Sequence, residues 1–317
     1  METLRAAVVG TGNMGRNHVR ILGAMPGVQL VGVVDPDVGR AAAAAAASQT
    51  PVFATLDELP DVDIAVVATP TPYHAAVAES LMSRGVSVLV EKPFTSSIEE
   101  AERLVRVAAQ AGVTLAVGHV ERFNPVFEML AHIVDEPVFL QFERLSPYTP
   151  RIGDSVVFDL MVHDLDLACW IGGGYPVRVE AAGARVFSDT VDIASAVLEF
   201  ENGCIARIDS SRATQDKVRR AAVSERERYI VADSLRQDIS IKRQVKVEMT
   251  DDASPVYREA SIVEIPWLPR GGEPLARELE DFVSAVRSSS RPRVTGEDGL
   301  SAVRLAYEVE RAIARRS

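Results

Sequence analysis

Short apolar runs alternate with helix-like stretches through the first third of the chain. The runs lie at 6–9, 28–34, 64–68, 86–90 and 113–117. Apolar runs without polar alternation are typical of strands that are covered on both faces, as in a parallel sheet with helices on either side. The pattern therefore predicts an α/β fold with a doubly wound parallel sheet, of the Rossmann type, in the N-terminal part.

The pattern changes after Val138, where strand-like runs alternate apolar and polar positions. The clearest pair, 193–200 and 204–210, flanks Asn202-Gly203, a dipeptide that favours a tight hairpin turn. Further runs lie at 177–187, 218–222, 228–231 and 239–247, and helices are expected at 159–170, 274–287 and 299–315. We predict a C-terminal α+β domain with a large, mostly antiparallel open sheet. The predicted domains are 1–121 for dinucleotide binding and 122–317 for substrate binding and oligomerisation.

Composition and charge exclude several classes of protein. The 317 residues carry 34 Lys and Arg against 45 Asp and Glu, a net charge of −11, whereas a nucleic-acid-binding surface needs to be basic. The longest uniform apolar stretch, Ala41–Ala47, is too short to span a membrane, and the residues around Arg5 do not resemble a secretion signal. Cys169 and Cys204 have no metal-type spacing. We expect no nucleic-acid partner, no membrane partner, no metal and a cytoplasmic location.

A glycine-rich turn follows the first predicted strand and opens a helix. Gly10 permits a tight turn, Gly12 allows the backbone to approach a pyrophosphate, and Gly15 permits close helix–strand packing. Asp35 ends the second strand, twenty positions after Gly15. A carboxylate at this place accepts hydrogen bonds from the ribose hydroxyls of NAD and repels the 2′-phosphate of NADP. The alternative is an ordinary turn and a strand-end Asp. We predict binding of NAD in preference to NADP, although Arg40 could accommodate a phosphate. The turn residues expected to contact the cofactor are Gly10, Thr11, Gly12, Asn13, Met14 and Gly15.

Polar residues also follow the third and fourth strands, at the edge where ligands bind in such sheets. We expect cofactor contacts from Thr69, Pro70, Thr71, His74, Glu91, Lys92 and His119. Lys92 can also stabilise negative charge that develops on a substrate oxygen during oxidation. The alternatives are a proline-rich turn with a surface His and a solvated strand-end Lys.

The segment from Asp159 to Asp166 is the most distinctive feature of the second half. Asp159 and His163 are four positions apart, so an α-helix would place them on one face. A His beside a carboxylate suits a general base, because its pKa lies near neutral pH and the carboxylate stabilises its charged form. The alternative is an acid–His pair on a helix surface.

Together the glycine turn, Asp35, the Thr69–His74 loop, Glu91-Lys92-Pro93 and the Asp159–His163 pair resemble the Gfo/Idh/MocA family of sugar and polyol dehydrogenases. The resemblance covers nearly the whole chain. It implies that Lys92 and His163 flank the reacting hydroxyl, that Asp159 assists, and that the nicotinamide lies between the domains. It also implies sheet-to-sheet association into a homodimer or homotetramer. The predicted strand at 193–200 fits this, since Val197 leaves its second face partly apolar.

A narrower resemblance comes from the segment 117–125, read together with Asp159 to Asp164 and the basic stretch 211–220. These are similar to bacterial UDP-N-acetylglucosamine 3-dehydrogenases, which implies a nucleotide-sugar substrate whose diphosphate meets cations. The expected substrate contacts are Lys92, Arg122, Asn124, Arg151, Asp159, His163, Arg212, Lys217 and Arg219. Two alternatives remain: a free sugar or inositol dehydrogenase, and a non-catalytic NAD-binding sensor.

Overall fold

The computed structural model describes residues 3–149, 153–245, 260–268 and 272–315. The chain divides into two compact units, one within residues 1–123 and 272–304 and the other within 124–271 and 305–317. Among the helices of the described residues, none is both long and apolar enough to cross a membrane.

Strands and helices alternate in the first part of the chain, and strands dominate afterwards. The strands are β1 (Leu4–Val9), β2 (Val28–Val34), β3 (Val52–Phe53), β4 (Ile64–Val67), β5 (Ser87–Glu91), β6 (Leu115–Gly118), β7 (Phe139–Leu145), β8 (Arg178–Ala184), β9 (Ile193–Glu199), β10 (Ile205–Ser211), β11 (Val218–Ser224), β12 (Arg228–Asp233), β13 (Asp238–Val245) and β14 (Ala260–Glu264). The α-helices are α1 (Asn13–Ala24), α2 (Val38–Ala45), α3 (His74–Met82), α4 (Ile98–Ala111), α5 (Pro125–Ile133), α6 (Val162–Gly172), α7 (Pro274–Ser288) and α8 (Gly296–Ala314).

The sheet of the first unit is entirely parallel and has the order β3-β2-β1-β4-β5-β6. This is the strand order of the doubly wound dinucleotide-binding fold, so the predicted fold of this part is confirmed. Only the short edge strand β3 was not predicted. Each of the central strands is buried along most of its length, because helices cover both faces of the sheet.

Residues 272–304 return to the first unit, which differs from the single predicted boundary at 121/122. The reason is the apolar face of α7. Its buried residues Leu275, Leu279, Phe282 and Val283 belong to the same core cluster as residues of β1, β2, β4 and α1. A helix that buries its apolar stripe against one core folds with that core, whatever its distance along the chain.

The second unit is built on an eight-stranded sheet with the order β14-β13-β12-β11-β7-β10-β9-β8. All neighbouring pairs are antiparallel except β7 and β10, so the predicted mostly antiparallel open sheet is confirmed. The turn between β9 and β10 contains Asn202 and Gly203, and Gly203 takes a φ of 84°, as a tight hairpin turn requires.

The helix carrying Asp159 and His163 differs from the predicted single α-helix. Residues Val157–Met161 form a π-helical turn, in which the Val162 N–H donates to the Val157 carbonyl oxygen, and α6 follows. Asp159 therefore lies in the wider turn and His163 in the first turn of α6, so the simple four-residue spacing does not describe their relation. Such turns occur frequently at functional sites.

Candidate active site

The glycine turn between β1 and α1 forms a cradle that is closely packed at Gly10 and Gly15 and open beside Gly12. Gly10 has a φ of 92°, and a Cβ there would lie 2.5 Å from the Ala68 carbonyl oxygen. A Cβ on Gly15 would overlap the Gly10 carbonyl oxygen, whereas a Cβ on Gly12 would meet nothing within 4 Å. The first and third glycines thus allow close packing, and the second leaves the backbone open to a ligand. This arrangement fits the pyrophosphate of a dinucleotide at a helix N-terminus.

A cavity of about 340 Å³ opens beside this cradle, entirely within the first unit. Its lining combines the glycine turn with the ends of β2, β4 and β5: Gly10, Thr11, Gly12, Asn13, Met14, Asp35, Arg40, Ala68, Thr69, Pro70, Glu91 and Lys92. Most of the residues predicted to contact the cofactor therefore border one cavity at the carboxyl edge of the sheet. Four predicted contacts do not line it: Gly15, Thr71, His74 and His119.

Asp35 is one of the two acidic residues that line this cavity, with Glu91, and its carboxylate already has four donors within the protein. The Thr11 backbone N–H and hydroxyl donate to Oδ2 at 2.8 and 2.7 Å, and the Asp37 N–H and Arg40 Nη2 donate to Oδ1 at 2.9 and 2.7 Å. Burial opposes ionisation, but the hydrogen bonds from Arg40 and Thr11 outweigh it and lower the pKa of Asp35 to about 2. The carboxylate therefore presents a negative charge to the cavity at neutral pH.

His74 lies beneath the loop that follows β4 rather than in the cavity. Its side chain is buried, with Nδ1 3.0 Å from the Pro93 carbonyl oxygen and Nε2 2.7 Å from the Thr69 carbonyl oxygen. The predicted cofactor contact is therefore replaced by a link between two loops. The next residues along the first loop, Pro70 and Thr71, lead into a 3₁₀ turn at Thr71–Tyr73.

Glu91 ends β5 and Lys92 follows it, and the two side chains have different surroundings. Glu91 is buried, and its Oε1 lies 2.8 Å from Nε2 of His18. Burial raises the pKa of Glu91, but the hydrogen bond and charge of His18 outweigh this and lower it. Glu91 Oε2 also accepts from the Lys92 backbone N–H at 3.1 Å. Glu91 thus supports the strand end, while Lys92 is half-buried at the cavity.

His18 and Glu278 are two buried titratable residues that the sequence reasoning missed. His18 shares the buried face of α1 with Gly15, Val19 and Leu22. Its spacing of three residues from Gly15 places it on the same side of the helix, and this spacing could have predicted its burial from the sequence. Glu278, on α7, has no hydrogen-bond partner for either carboxylate oxygen among the residues that the structure describes. Burial raises the pKa of Glu278 well above its usual value, and the negative charges of Glu91 and Asp281 add to the shift.

His119 and Arg122 follow β6 and are both buried. The His119 backbone carbonyl accepts from the Arg122 N–H at 3.0 Å, and Arg122 Nη2 lies 3.3 Å from Asp298 Oδ1. Burial opposes ionisation of Asp298, but the charge of Arg122 and the hydrogen bonds from Thr295 lower its pKa. The first unit therefore uses Arg122 in an internal ion pair, which differs from the predicted substrate contact.

In the second unit, Asp159 and His163 are half-buried, and the helix that holds them is anchored to the sheet. The adjacent Asp164 is buried and forms a two-point ion pair with Arg144 of β7, at 2.8 Å from Nε and 2.7 Å from Nη2. Paired N–H donors of this kind fix orientation as well as distance. The Arg144–Asp164 pair, which the sequence did not predict, therefore holds the first turn of α6, with His163, against β7.

Arg212 was predicted to bind a diphosphate, but it lies in the interior of the second unit. Its Nε donates to Asp192 Oδ1 at 2.7 Å, and its other nitrogens donate to the Asp154 carbonyl, the Ser188 hydroxyl and the Thr190 hydroxyl. Four of the five guanidinium N–H groups therefore donate within the protein, and the side chain is buried and not presented to a ligand. The sequence did not predict that Asp192 is the ion-pair partner of Arg212.

The remaining predicted substrate contacts differ in exposure. Lys217 is exposed, whereas half-buried Arg219 donates to the carbonyls of Leu145 and Val218 and to the Ser146 hydroxyl. Asn124 caps α5, accepting from the Val126 N–H at 3.1 Å, as its place before Pro125 predicted. Arg151 lies outside the described residues.

Comparison with known proteins agrees with this geometry. A family model described as an oxidoreductase family with an NAD-binding Rossmann fold matches residues 4–119, and a Gfo/Idh/MocA C-terminal domain model matches residues 138–231. The chain belongs to the Gfo/Idh/MocA oxidoreductase family. The family resemblance inferred from the motifs is confirmed, and with it an NAD-binding Rossmann domain.

Several members of the family are similar along their whole length. A UDP-N-acetylglucosamine 3-dehydrogenase from Acidithiobacillus ferrooxidans is 34% identical, over 99% of this chain and 98% of that protein. Its solved structure superimposes with a TM-score of 0.90 and covers 99% of both chains. An inositol 2-dehydrogenase from Rhizobium meliloti is 26% identical over 99% of this chain and 98% of its own length. GenD2 from gentamicin A biosynthesis, solved in complex with NAD, is 26% identical with a TM-score of 0.82, over 100% of this chain and 96% of its own.

Proposed function

We propose that this protein oxidises the C3 hydroxyl of UDP-N-acetylglucosamine to a ketone, with NAD as the acceptor. The observation that carries the proposal is the full-length similarity to a UDP-N-acetylglucosamine 3-dehydrogenase, at 34% identity and with no part of either chain left out beyond a few residues. The glycine cradle and the cavity that ends at Lys92 support the cofactor half of the proposal.

The oxidation removes a proton from the hydroxyl and a hydride from its carbon, leaving a ketone. His163 takes the proton as a general base, and Lys92 stabilises the negative charge that develops on the oxygen. Asp159 favours the charged form of His163. NAD, when bound, supplies the hydride acceptor. These roles are proposals that rest on the motif positions and on the half-buried setting of each residue.

We further propose that NAD is preferred over NADP. Asp35 is anionic at neutral pH because its pKa is lowered to about 2, and it borders the cavity. A carboxylate there repels a 2′-phosphate. Arg40 is the opposing feature, because its exposed guanidinium could leave Asp35 and meet a phosphate.

The diphosphate of the substrate is proposed to meet Lys217, with Arg219 and Arg151 as further candidates. Lys217 is the exposed cation among the predicted set that the structure describes. Because a diphosphate is held alike in the ground state and the transition state, Lys217→Ala should raise KM more than it lowers kcat. UDP alone should compete with the nucleotide sugar.

Assembly into a homodimer or homotetramer is proposed from the outer face of the second unit's sheet. Apolar side chains on this face, including Ile193, Val197, Ile205 and Tyr229, are more than a third exposed. Apolar side chains on a sheet face are stabilised when a second protein surface buries them. Light scattering at micromolar concentration tests this, and a monomer would contradict it. The cytoplasmic location expected from the cysteines stays a prediction.

The deciding experiment follows NADH formation with three alcohols. UDP-N-acetylglucosamine should be oxidised, while free N-acetylglucosamine and myo-inositol give little signal. Equal oxidation of free and UDP-linked sugars would favour the simple sugar or inositol dehydrogenase, a reading that the inositol 2-dehydrogenase relative also supports. If the protein binds NAD but oxidises none of the three alcohols, the result would favour the alternative of a non-catalytic NAD-binding sensor.

Two variants test the residues. Lys92→Ala and His163→Ala should each reduce turnover by roughly 100-fold or more, the contribution of a positioned proton-transfer group, while NAD still binds. Near-normal turnover in either variant would remove that residue from the mechanism.

A further inference from the structure

The His74 ring is held between two backbone carbonyl groups of the first unit. Nε2 lies 2.7 Å from the Thr69 carbonyl oxygen and Nδ1 lies 3.0 Å from the Pro93 carbonyl oxygen. The residue is only 1% exposed, so water does not compete for either nitrogen. Both contacts join the start of α3 to loops that follow neighbouring parallel strands, β4 and β5.

Carbonyl oxygens accept hydrogen bonds and cannot donate them. A neutral imidazole has one N–H and one bare nitrogen, so it could satisfy one carbonyl but would turn a lone pair towards the other. Turning the ring by 180° does not help. It would place carbon atoms 2.7 and 3.0 Å from the oxygens, well inside the roughly 3.3–3.6 Å of a C–H···O contact. The geometry is met by a ring with hydrogen on both nitrogens.

The charged groups on the neighbouring elements have partners of their own. On α3, Glu79 is paired with Arg103 of α4 at 3.0 Å. At the end of β5, Glu91 is paired with His18 at 2.8 Å, and Lys92 follows it. β4 has no titratable side chain, and Tyr73 precedes the ring in the chain. The acceptors that face His74 are therefore the two carbonyls, not a carboxylate.

We propose that His74 is a buried imidazolium that fixes the two loops bordering the cofactor cavity. Thr69 lines that cavity directly, and Pro93 follows Lys92, which also lines it. One cation thus sets the spacing between the loop after β4 and the strand end that presents Lys92. His74 is a positioning residue for cofactor binding. This deepens the cofactor role proposed above, and its test does not require any particular sugar to be a substrate.

The protonation state is measured directly by NMR on the full chain with ¹⁵N-labelled histidine. At about pH 8 an unperturbed histidine side chain is neutral, and a ¹⁵N-labelled histidine peptide at the same pH serves as the reference. His74 should show two protonated-type ring nitrogens, while the reference peptide shows the mixed pattern of a neutral ring. The chain has five histidines, so His74 is assigned from a His74 variant or, if none folds, by elimination with variants of the other four. A bare nitrogen on His74 at this pH overturns the proposal.

Three substitutions separate a two-point clamp from a packed ring. Asn places its amide nitrogen near the position of Nδ1 and Gln near that of Nε2, so each variant keeps one carbonyl contact, and Phe keeps neither. NADH affinity, followed by fluorescence titration, should fall about tenfold for His74→Asn and His74→Gln, as expected on losing one hydrogen bond to a charged group. It should fall further for His74→Phe.

A ring that serves only for packing predicts the opposite order, because Phe best preserves its shape. NADH binding by His74→Phe at the wild-type affinity would therefore overturn the proposal. His132→Gln is the matched control and should leave NADH affinity and Tm unchanged. Failure of the UDP-N-acetylglucosamine assay with intact NADH binding would count against the proposed substrate and not against the role of His74.

Discussion

Each of the two units contains an Asp–Arg pair with the same contact distance, and the two pairs differ in setting. Asp35 and Arg40 of the first unit are 2.7 Å apart, as are Asp192 and Arg212 of the second. The Arg40 side chain is 53% exposed at the edge of the cavity, whereas Arg212 and Asp192 are at most 1% exposed. The same kind of ion pair therefore borders a cavity in one unit and lies in the interior of the other.

The difference lies in what each arginine would lose by moving. Arg40 can exchange Asp35 for water or a ligand, because its guanidinium is already solvated. Arg212 would leave a buried carboxylate that also accepts from the backbone N–H groups of Val186, Phe187 and Ser188. A buried charge without its partner is strongly destabilising, so Arg212 is fixed in place.

The largest effect is expected from Arg212→Ala. It should reduce the free energy of unfolding by about 3–5 kcal/mol, the usual effect of breaking a buried ion pair, and chemical denaturation measures this. Arg207→Ala is the matched control, because Arg207 lies on β10 and Arg212 directly follows that strand. Arg207 is half-exposed and pairs with Asp209 at 3.0 Å, so its loss should change stability by less than about 1 kcal/mol. Equal effects of the two substitutions would remove the contrast between buried and exposed pairs.

Asp35→Ala tests the proposed role of the pair that borders the cavity, and cofactor affinity is the quantity measured. NAD binding should weaken by about tenfold, the order expected on losing hydrogen bonds to a charged acceptor, and discrimination against NADP should relax. Parallel titrations with NADH and NADPH measure both effects. Tighter binding of NADP than of NAD by the unmodified protein would contradict the assigned role of Asp35.

Glu278→Gln tests the buried carboxyl of the first unit by pH. Because the folded-state pKa of Glu278 is raised, its favourable contribution is complete below the unfolded value near 4.5 and is lost as pH rises through the folded value. Gln has no such loss. The Tm of the variant relative to wild type should therefore increase from about pH 5 to pH 8, by roughly 2–4 °C if about 1 kcal/mol is involved.

Glu280→Gln supplies the control for this pH series, since Glu280 is exposed on the same helix. Its Tm difference from wild type should stay constant over the same range. A Tm difference for Glu278→Gln that shrinks as pH rises would contradict the assigned protonation of Glu278.

The smallest effect on stability is expected from Arg40→Ala. Its exposed pair with Asp35 should contribute little to the free energy of unfolding, as should the pair of Arg103 with Glu79, because Arg103 is similarly exposed in the same unit. Cofactor titration separates the two variants. Arg40→Ala should weaken NADP binding while Arg103→Ala leaves it unchanged, and an unchanged NADP affinity in both would remove Arg40 from the cavity's chemistry.

Local sequence was sufficient to predict the features that depend on backbone conformation. The turn at Gly10 and Gly15, the cap at Asn124 and the hairpin at Asn202-Gly203 each need a residue type at a fixed place in a short segment, and each prediction agrees with the structure. The apolar runs likewise predicted most strands of both sheets, because burial on one or both faces leaves its period in the sequence, although no bounded run corresponded to β7 or β14. The edge strand β3 was missed because two residues are too short to show one.

Only the tertiary structure decided which charged side chains are available to a ligand. In the sequence Arg212 resembles the other cations of its basic stretch. In the structure it forms a buried ion pair with Asp192, twenty residues earlier in the chain, in the interior of the second unit. His74 looks like a cofactor contact, yet two carbonyls from separate loops occupy both of its nitrogens. Residues 272–304 rejoin the first unit through the apolar face of α7. Strand ends and turns are set by neighbours in the chain, whereas ion pairs, buried protons and domain membership are set by partners that only folding brings together.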